Sequence, residues 1–595
     1  MNGSILRLAV LGVACASCSP PPVAPVVVAK LPPPPPASPA AAPASLPAPG
    51  FSSQETETAA RLVAATIDAP LRFLADDLLE GRAPGTRGDA VAIQYLAAEM
   101  EALGLEPGVT DGATRTFLQK VPLVGITADL PKSETFVSKT GRLTLDIARD
   151  LVVDAGLPEP KIALDAKDVV FVGYGIVAPE YRWDDYKGVD VKGKVVLVMN
   201  NDPENDPALF AGKTRLWYGR WDYKYLEAAR HGAAAAIIIH TTASAAYPWH
   251  VVVSSNVRER FELPRAPGES RLLAKMWATE DACKRLAALG GQDLDALRAR
   301  AESRDFLPVP LGIKTTLSLT TRIRTIETDN VVGLLPGTDP LLSKEAIVYS
   351  AHHDHLGIGE PKITKGGAAP DPIYNGAVDD ASGLATVLAI ARAATLGAPT
   401  KRSRVFLAVA AEEPGLLGSE WYAKHPTFPA GRIAADINVD WANVRGKTSD
   451  VALSGLGRST LDGFVIAVAS AQGRTVHGDP HPEKGFAYRS DQQSFAKIGV
   501  PFVYLRGPLS FVGRPAGWGE EQERLYDAER YHQPSDEYSA LWDLEGAVED
   551  ARLLLITGMR IANDAVLPSW TPRDEFEAAR KTAVAAAGAA DATAR

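Results

Sequence analysis

Cysteine is nearly absent from this chain: there are three in 595 residues, and two of them fall within the first 18, leaving Cys283 alone in the remainder. No internal disulfide can hold the fold together, so stability must come from packing. Beyond the N-terminus there is no apolar run long enough to cross a bilayer. An excess of basic charge is also missing, since 62 Lys and Arg stand against 72 Asp and Glu with no long run of either sign. A nucleic-acid footprint would be basic and clustered, so no nucleic-acid partner is expected. Neither a Gly-x-Ser-x-Gly elbow nor a His-Glu-x-x-His pair occurs, which leaves serine-hydrolase and zincin chemistry without support. No internal repeat is visible.

The chain is long and 46% hydrophobic, enough for two or more cored domains. Residues 1–18 read as an export signal: Arg7 supplies a minimal basic start, Leu8 to Ala14 an apolar stretch, and small residues lead to Cys15 and Cys18. The setting resembles a bacterial lipoprotein signal, although Gly12 and Cys15 stand where Leu is usual. The expectation is an exported chain in the periplasm or cell envelope, either lipid-anchored at one of these cysteines or secreted. Residues 19–50 are dominated by Pro and Ala, which favour extended polyproline II and make a semi-rigid tether.

Further along, apolar residues at helical spacing (Ala59, Leu62, Val63, Ile67, then Ala90 to Leu103) predict helices between 55 and 105. The stretch 168–239 changes character, with short strands Val169–Gly175, Gly193–Asn200 and Ala233–Ile239 in a compact β-rich block. Its Gly173-Tyr-Gly175 turn has the letters of a dinucleotide fingerprint, but Pro179 follows and no amphipathic helix opens there. After about residue 318, strands (330–335, 346–351, 405–411, 433–439, 501–505) alternate with helices (381–396, 418–424, 461–472, 491–498). That alternation predicts an α/β fold with a mixed, mainly parallel sheet flanked by helices and a smaller β-rich inserted domain.

Five short segments of this region end in metal-binding residue types: Ala-His352-His353-Asp354, Val-Asp379-Asp380-Ala-Ser-Gly, Ala-Ala-Glu412-Glu413-Pro-Gly, Asn-Val-Asp440-Trp and Tyr-His532-Gln-Pro. Most follow an apolar strand, and residues just past the carboxyl ends of parallel strands converge on one crevice. One shared carboxylate and one ligand from each other segment make two imidazoles and three carboxylates, enough for two metal ions. Each segment has an ordinary alternative when taken alone. Asp379-Asp380 could cap a helix, Glu412-Glu413 could be a solvated loop pair, and His532 a surface histidine; His353 and His355 read as loop residues. A lone Asp440 at the end of an apolar strand is costly unless paired or bound. Order and placement after successive strands carry the argument, and they point to metal-assisted hydrolysis.

Together, His352-His-Asp354-His-Leu-Gly, Asn-Gly-Ala-Val-Asp379-Asp380-Ala-Ser-Gly, Glu412-Glu413-Pro-Gly, Asn-Val-Asp440, Ser490-Asp491 with Gly499-Val-Pro, and Tyr531-His532-Gln-Pro-Ser-Asp536 resemble the M28 family of dizinc aminopeptidases. The block from Phe171-Val-Gly-Tyr-Gly to Gly232-Ala-Ala looks like the protease-associated domain that many members carry. The resemblance implies a zinc-dependent exopeptidase fold with an N-terminal part at 51–135, an inserted domain at 136–317, a peptidase domain at 318–568 and an Ala-rich tail at 569–595, frayed beyond Lys581. It implies two Zn2+, with His352 and Glu413 on separate ions, Asp440 and His532 completing the two sites, and Asp379 bridging both, followed by a cis bond to Asp380. Asp354 would orient His352, and Glu412 would be the general base. The expected substrate is a peptide with a free N-terminus. Ala411 and Gln492 depart from the family's usual Gly and His, which bears on pocket shape.

Three other readings stay open. A glutaminyl-cyclase-like acyltransferase works with one zinc. A carboxypeptidase or amidase on this fold would need a basic pocket if it took acidic C-terminal residues, for which Arg489 and Arg506 are the candidates. A tethered binding protein on an inert scaffold would lack ligands. Nothing in the sequence fixes the oligomeric state.

Overall fold

Two apolar runs, Ala346–His352 and Ser403–Val409, are buried along their whole length. Strands covered by helices on both faces must be so, and they read as continuous rather than alternating hydrophobicity. They lie at the centre of one half of a large sheet. The computed structural model describes residues 50–206, 209–256, 259–359 and 371–593. The expected signal and all but the last residue of the proline-rich tether lie outside the described residues.

In chain order the principal strands are β1 (Leu118–Asp129), β2 (Leu151–Ala155), β3 (Lys161–Phe171), β4 (Val195–Met199), β5 (Ala235–His240), β6 (Ala274–Thr279), β7 (Val309–Leu335), β8 (Ala346–His352), β9 (Ser403–Val409), β10 (Ile433–Asn438) and β11 (Phe502–Tyr504). The sheet runs β11-β10-β8-β9-β7-β3-β4-β5-β6-β2, with β1 paired to β7 off this path. Strands β11, β10, β8 and β9 are mutually parallel, and so are β3, β4, β5 and β6. Between the two parallel blocks, β7 runs antiparallel to β9 on one side and to β3 on the other. The expected mixed, mainly parallel sheet is therefore present.

Helices α1 (Ser53–Ala59), α2 (Ala64–Leu74), α3 (Arg87–Ala102), α4 (Gly383–Leu396), α5 (Glu545–Asn563) and α6 (Glu577–Thr593) matter most. The side chains of Leu71, Leu74, Leu96, Tyr349, Leu384, Phe406 and Leu555 meet in one core on one face of the β8–β10 block. The opposite face is closed by Tyr422 and Phe495 over Val348, Val405 and Leu407. A second core gathers Phe171, Leu197, Ile237, Met276, Cys283, Ile313 and Leu317. Each half thus has its own buried centre, as a peptidase-type half with a smaller β-rich block would.

The domain boundaries differ from those expected. Positions 135/136 fall inside a strand, Ser133–Ser138, and 317/318 fall inside β7. The strand expected to begin at Asn330 begins at Val309 and extends through both cores, so the β-rich block extends the sheet that holds β8 to β11. The tail also differs. Trp570 and Phe576 are buried, and Trp570 Nε1 donates to the Gly499 carbonyl at 2.9 Å. Alanine favours helix, and α6 lies close against the chain at Gly431, where a Cβ would meet the Ala583 carbonyl oxygen at 2.1 Å. The run beyond Lys581 is therefore helical to Thr593 rather than frayed. Among the described residues no helix is long and apolar enough to cross a membrane.

Candidate metal centre

Because β8, β9 and β10 are parallel neighbours, their carboxyl ends finish side by side. His352 is the last residue of β8, Glu412 and Glu413 follow β9, and Asp440 follows β10. Asp379 enters from the turn Ala377–Ser382 ahead of α4, and His532 from the segment before α5.

The structure brings all five expected ligands together. His352 Nε2 lies 3.2 Å from Asp379 Oδ1 and 3.2 Å from Asp440 Oδ1. His532 Nε2 lies 3.2 Å from Asp379 Oδ2 and 3.1 Å from Glu413 Oε2. The two oxygens of Asp379 thus face two different donor groups. One group is His352, Asp379 and Asp440; a second is His355, Asp379 and Glu413, with the ligand atoms of each within 4.8 Å of one another.

His355 is a correction to the sequence reading, which left it as a loop residue. It is buried, and its Nδ1 lies 2.6 Å from Glu413 Oε1 without the alignment of a hydrogen bond. Its ring meets that of His532 edge-on at 5.7 Å. Its placement three residues past the end of a strand rich in ligands is the only signal that could have found it.

The donor set suits a divalent cation. His352 Nδ1 lies 3.0 Å from the backbone carbonyl of Asp354, an acceptor only, so Nδ1 must carry a proton. Nε2 then faces two carboxylate oxygens, which requires either a second proton or a metal at that atom. Without a metal, the carboxylates of Asp354, Asp379 and Asp440 hold the His352 imidazolium well above its usual range, against the effect of burial. Glu413 Oε1 and both ring nitrogens of His355 are buried with no hydrogen-bond partner. Orphaned donors of this kind, grouped with carboxylates, are what a bound ion satisfies.

Asp354 acts on more than the imidazole. Its carboxylate is 3.7 Å from His352 Nδ1 and accepts the backbone N–H groups of Glu412 at 2.9 Å and Glu413 at 3.3 Å. It orients His352 through its carbonyl and the Glu412-Glu413 turn through its side chain. Asp380 accepts from the backbone N–H of His352 at 3.2 Å and of Gly383 at 2.9 Å, tying the end of β8 to the start of α4. The Asp379-Asp380 peptide bond is cis, as the resemblance implied. Burial pushes the Glu412 carboxyl well above the carboxylate range, and the nearby Asp440 and Glu413 add to it while His352 opposes it.

Several further residues support the ligands, of which Arg82 carries no signal of its own in the sequence. Arg82, fully buried, donates to the carbonyls of Leu74, His353 (2.8 Å), Asn375 (2.6 Å) and Gly376 (3.2 Å). It ties the N-terminal helices to both ligand loops. Asp536 accepts the backbone N–H groups of Val378 at 3.2 Å and Asp379 at 3.1 Å, and its carboxyl is pushed up to about 6, chiefly by burial. Tyr531 stacks on His532 with ring centroids 3.9 Å apart. Gln492 is buried and accepts from Asn438 Nδ2 at 2.7 Å, so it props the end of β10 rather than shaping a pocket. Ala411, where glycine is usual, sits at φ +52°, in the left-handed region that glycine adopts without a steric cost.

Residues 330–555 match the family model of peptidase family M28. Among curated proteins none matches. Solved structures similar to the chain include an aminopeptidase from Aneurinibacillus sp. strain AM-1, at 20% identity over 86% of this chain and 97% of that one, with a TM-score of 0.46. BSAP, a zinc aminopeptidase from Bacillus subtilis, is 17% identical over 85% of this chain and 97% of its own, with a TM-score of 0.40. A peptidase M28 precursor from Shewanella amazonensis SB2B is 18% identical over 87% and 98%, with a TM-score of 0.40.

Proposed function

We propose, starting from a chain whose residues 330–555 belong to peptidase family M28, that it is a dizinc aminopeptidase removing residues from the free N-terminus of peptides. The observation that carries this reading is the divided carboxylate of Asp379, one oxygen 3.2 Å from His352 Nε2 and the other 3.2 Å from His532 Nε2. A one-metal acyltransferase would not need a carboxylate turned to two donor groups, and an inert scaffold would not keep both groups complete.

His352, Asp379 and Asp440 would hold one zinc, and Glu413, His532 and Asp379 the other, with His355 a further donor beside Glu413. When bound, such a pair supplies Lewis acidity, lowering the pKa of a water and polarising a carbonyl. Glu412 accepts the attacking water's proton and delivers it to the departing amine, the role of a carboxylate beside the centre that is not itself one of the ligands. Asp354 keeps Glu412 in place by holding its backbone N–H. The carboxylates of Asp379, Asp440 and Glu413 also offer partners for a substrate ammonium, which favours a free α-amino group. The reading includes export, with a lipid anchor or simple cleavage at the N-terminus.

The test is hydrolysis of a dipeptide panel by the purified, zinc-loaded chain, each peptide with a free or an N-acetylated amino terminus. Cleavage of the free set alone supports the aminopeptidase. Cleavage of the blocked set points to a carboxypeptidase or amidase on the same centre. A folded chain that binds no zinc removes the reading altogether.

A further inference from the structure

Beside the carboxylate-rich centre the chain assembles a wall of the opposite charge. It begins one hydrogen bond from a proposed ligand: Tyr504 Oη donates to Asp440 Oδ2 at 3.3 Å and accepts from Arg506 at 3.2 Å. The Arg506 guanidinium lies over the ring of Phe486, 4.3 Å from its centroid, and Arg489 lies over the same ring at 5.2 Å. Arg489 then reaches the β-rich block, donating to the Ala245 carbonyl at 3.5 Å, while Arg215 of that block donates to the adjacent Ser244 carbonyl at 2.7 Å. Arg215 is anchored to the peptidase half in turn, its backbone N–H donating to the Pro482 carbonyl at 3.1 Å.

Close counter-ions are few around these cations. Among the described residues no carboxylate comes within 4 Å of Arg215, Arg489 or Arg506, while Arg220 has only Asp222 at 3.6 Å, which Lys497 shares. Asp202 and Glu483 act on Arg215, and Asp440 and Glu523 on Arg506, from farther away. The Nε atoms of all four arginines are buried without a partner. Mutual repulsion and burial hold the Arg489 guanidinium down to about 10, burial being the larger cause. Gathering guanidiniums that are buried, as Arg215 is, or partly buried, as the other three are, is unfavourable unless an anion completes the group. Guanidinium groups suit a planar carboxylate, which they engage through two parallel N–H donors.

We infer that Arg489 and Arg506, with Arg215 and Arg220 from the β-rich block, form a substrate subsite for a carboxylate next to the proposed metal centre. The carboxylate comes from an acidic side chain at the peptide's N-terminus or from the C-terminus of a short peptide. The inference rests on the peptidase reading, and it makes the β-rich block part of substrate recognition.

The test measures kcat/KM of the zinc-loaded full chain on Leu-Ala and Glu-Ala, each with a free or an amidated C-terminus. One carboxylate-bearing peptide should exceed its neutral partner by at least about tenfold. A preference for the free C-terminus identifies the terminal carboxylate, and a preference for Glu within the amidated pair identifies the side chain. Arg489→Gln and Arg215→Gln should each bring the ratio to within about twofold of one, and Arg489→Lys should restore part of it. A ratio near one in the wild-type chain overturns the inference without any variant, as does a ratio that survives both Gln substitutions. If no peptide is cut, the peptidase reading is what fails. Titration calorimetry of the same four peptides against Glu412→Gln then decides the subsite alone, and equal affinity for charged and neutral members overturns it.

Discussion

The two parallel blocks on either side of β7 put polar residues at the same place, the carboxyl ends of their strands, yet they do opposite things with the charge. Past β8, β9 and β10 the carboxylates of Asp379, Glu412, Glu413 and Asp440 outnumber the cations they touch. Past β4, buried Asp202 accepts from the Leu216 N–H at 3.0 Å, and buried Lys224 donates to the Asn201 carbonyl at 2.7 Å; burial pushes the first up to about 7 and the second down to about 7. One end offers its carboxylates to cations from outside the chain, and the other holds a buried acid and a buried base on backbone partners beside a cavity lined by Asn200, Asp202 and Arg215. Strand topology chooses where polar groups gather, and local charge balance decides whether they bind or only support.

The comparison can be broken most severely at Asp379. Asp379→Asn removes charge from both donor groups at once, so zinc content should fall below one ion per chain and kcat/KM by more than about 10^4-fold; retention of two ions would dismiss the bridging role. Glu412→Gln should keep both ions and lower kcat by about 10^2- to 10^4-fold, measured on any peptide the wild type cuts. Past β4, Lys224→Met removes the donor to the Asn201 carbonyl and one of the two cations, with Arg215, that act on Asp202. It should cost about 1–3 kcal/mol in urea unfolding and leave zinc content unchanged. His355→Ala should weaken binding of one zinc by about tenfold or more in a chelator competition, leaving the other ion in place. The smallest effect belongs to Ala411→Gly, which trades relief of a left-handed alanine against chain entropy and should shift stability by less than about 1 kcal/mol.

The carboxyl ends of β8, β9 and β10 were legible because fully buried parallel strands announce themselves as apolar runs, and His352, Glu412-Glu413 and Asp440 end those runs. His355 was not, since an imidazole in a polar turn looks the same whether its ring points to water or to Glu413. Arg82 was invisible for a different reason: it donates to backbone carbonyls, which any sequence supplies. The continuity of β7 was obscured because its largely exposed stretch Thr320–Glu327 pairs with β1 and has no apolar alternation to follow. The tail was misjudged because its anchors, Trp570, Phe576 and Arg580, are few and separated by small or charged residues.

The reach of Arg82 has a consequence in time. Its acceptors at His353 and Asn375 lie 271 and 293 residues downstream. At about 5–20 residues per second, the ribosome delivers those carbonyls roughly 15 to 60 s after the guanidinium has been made. Throughout that interval α2 and α3 exist without α4, on which α2 packs, and with a charged side chain whose burial cannot begin. The earliest-synthesised helices are therefore among the last to reach their final environment, and the chain must pass through its own synthesis with that surface uncovered.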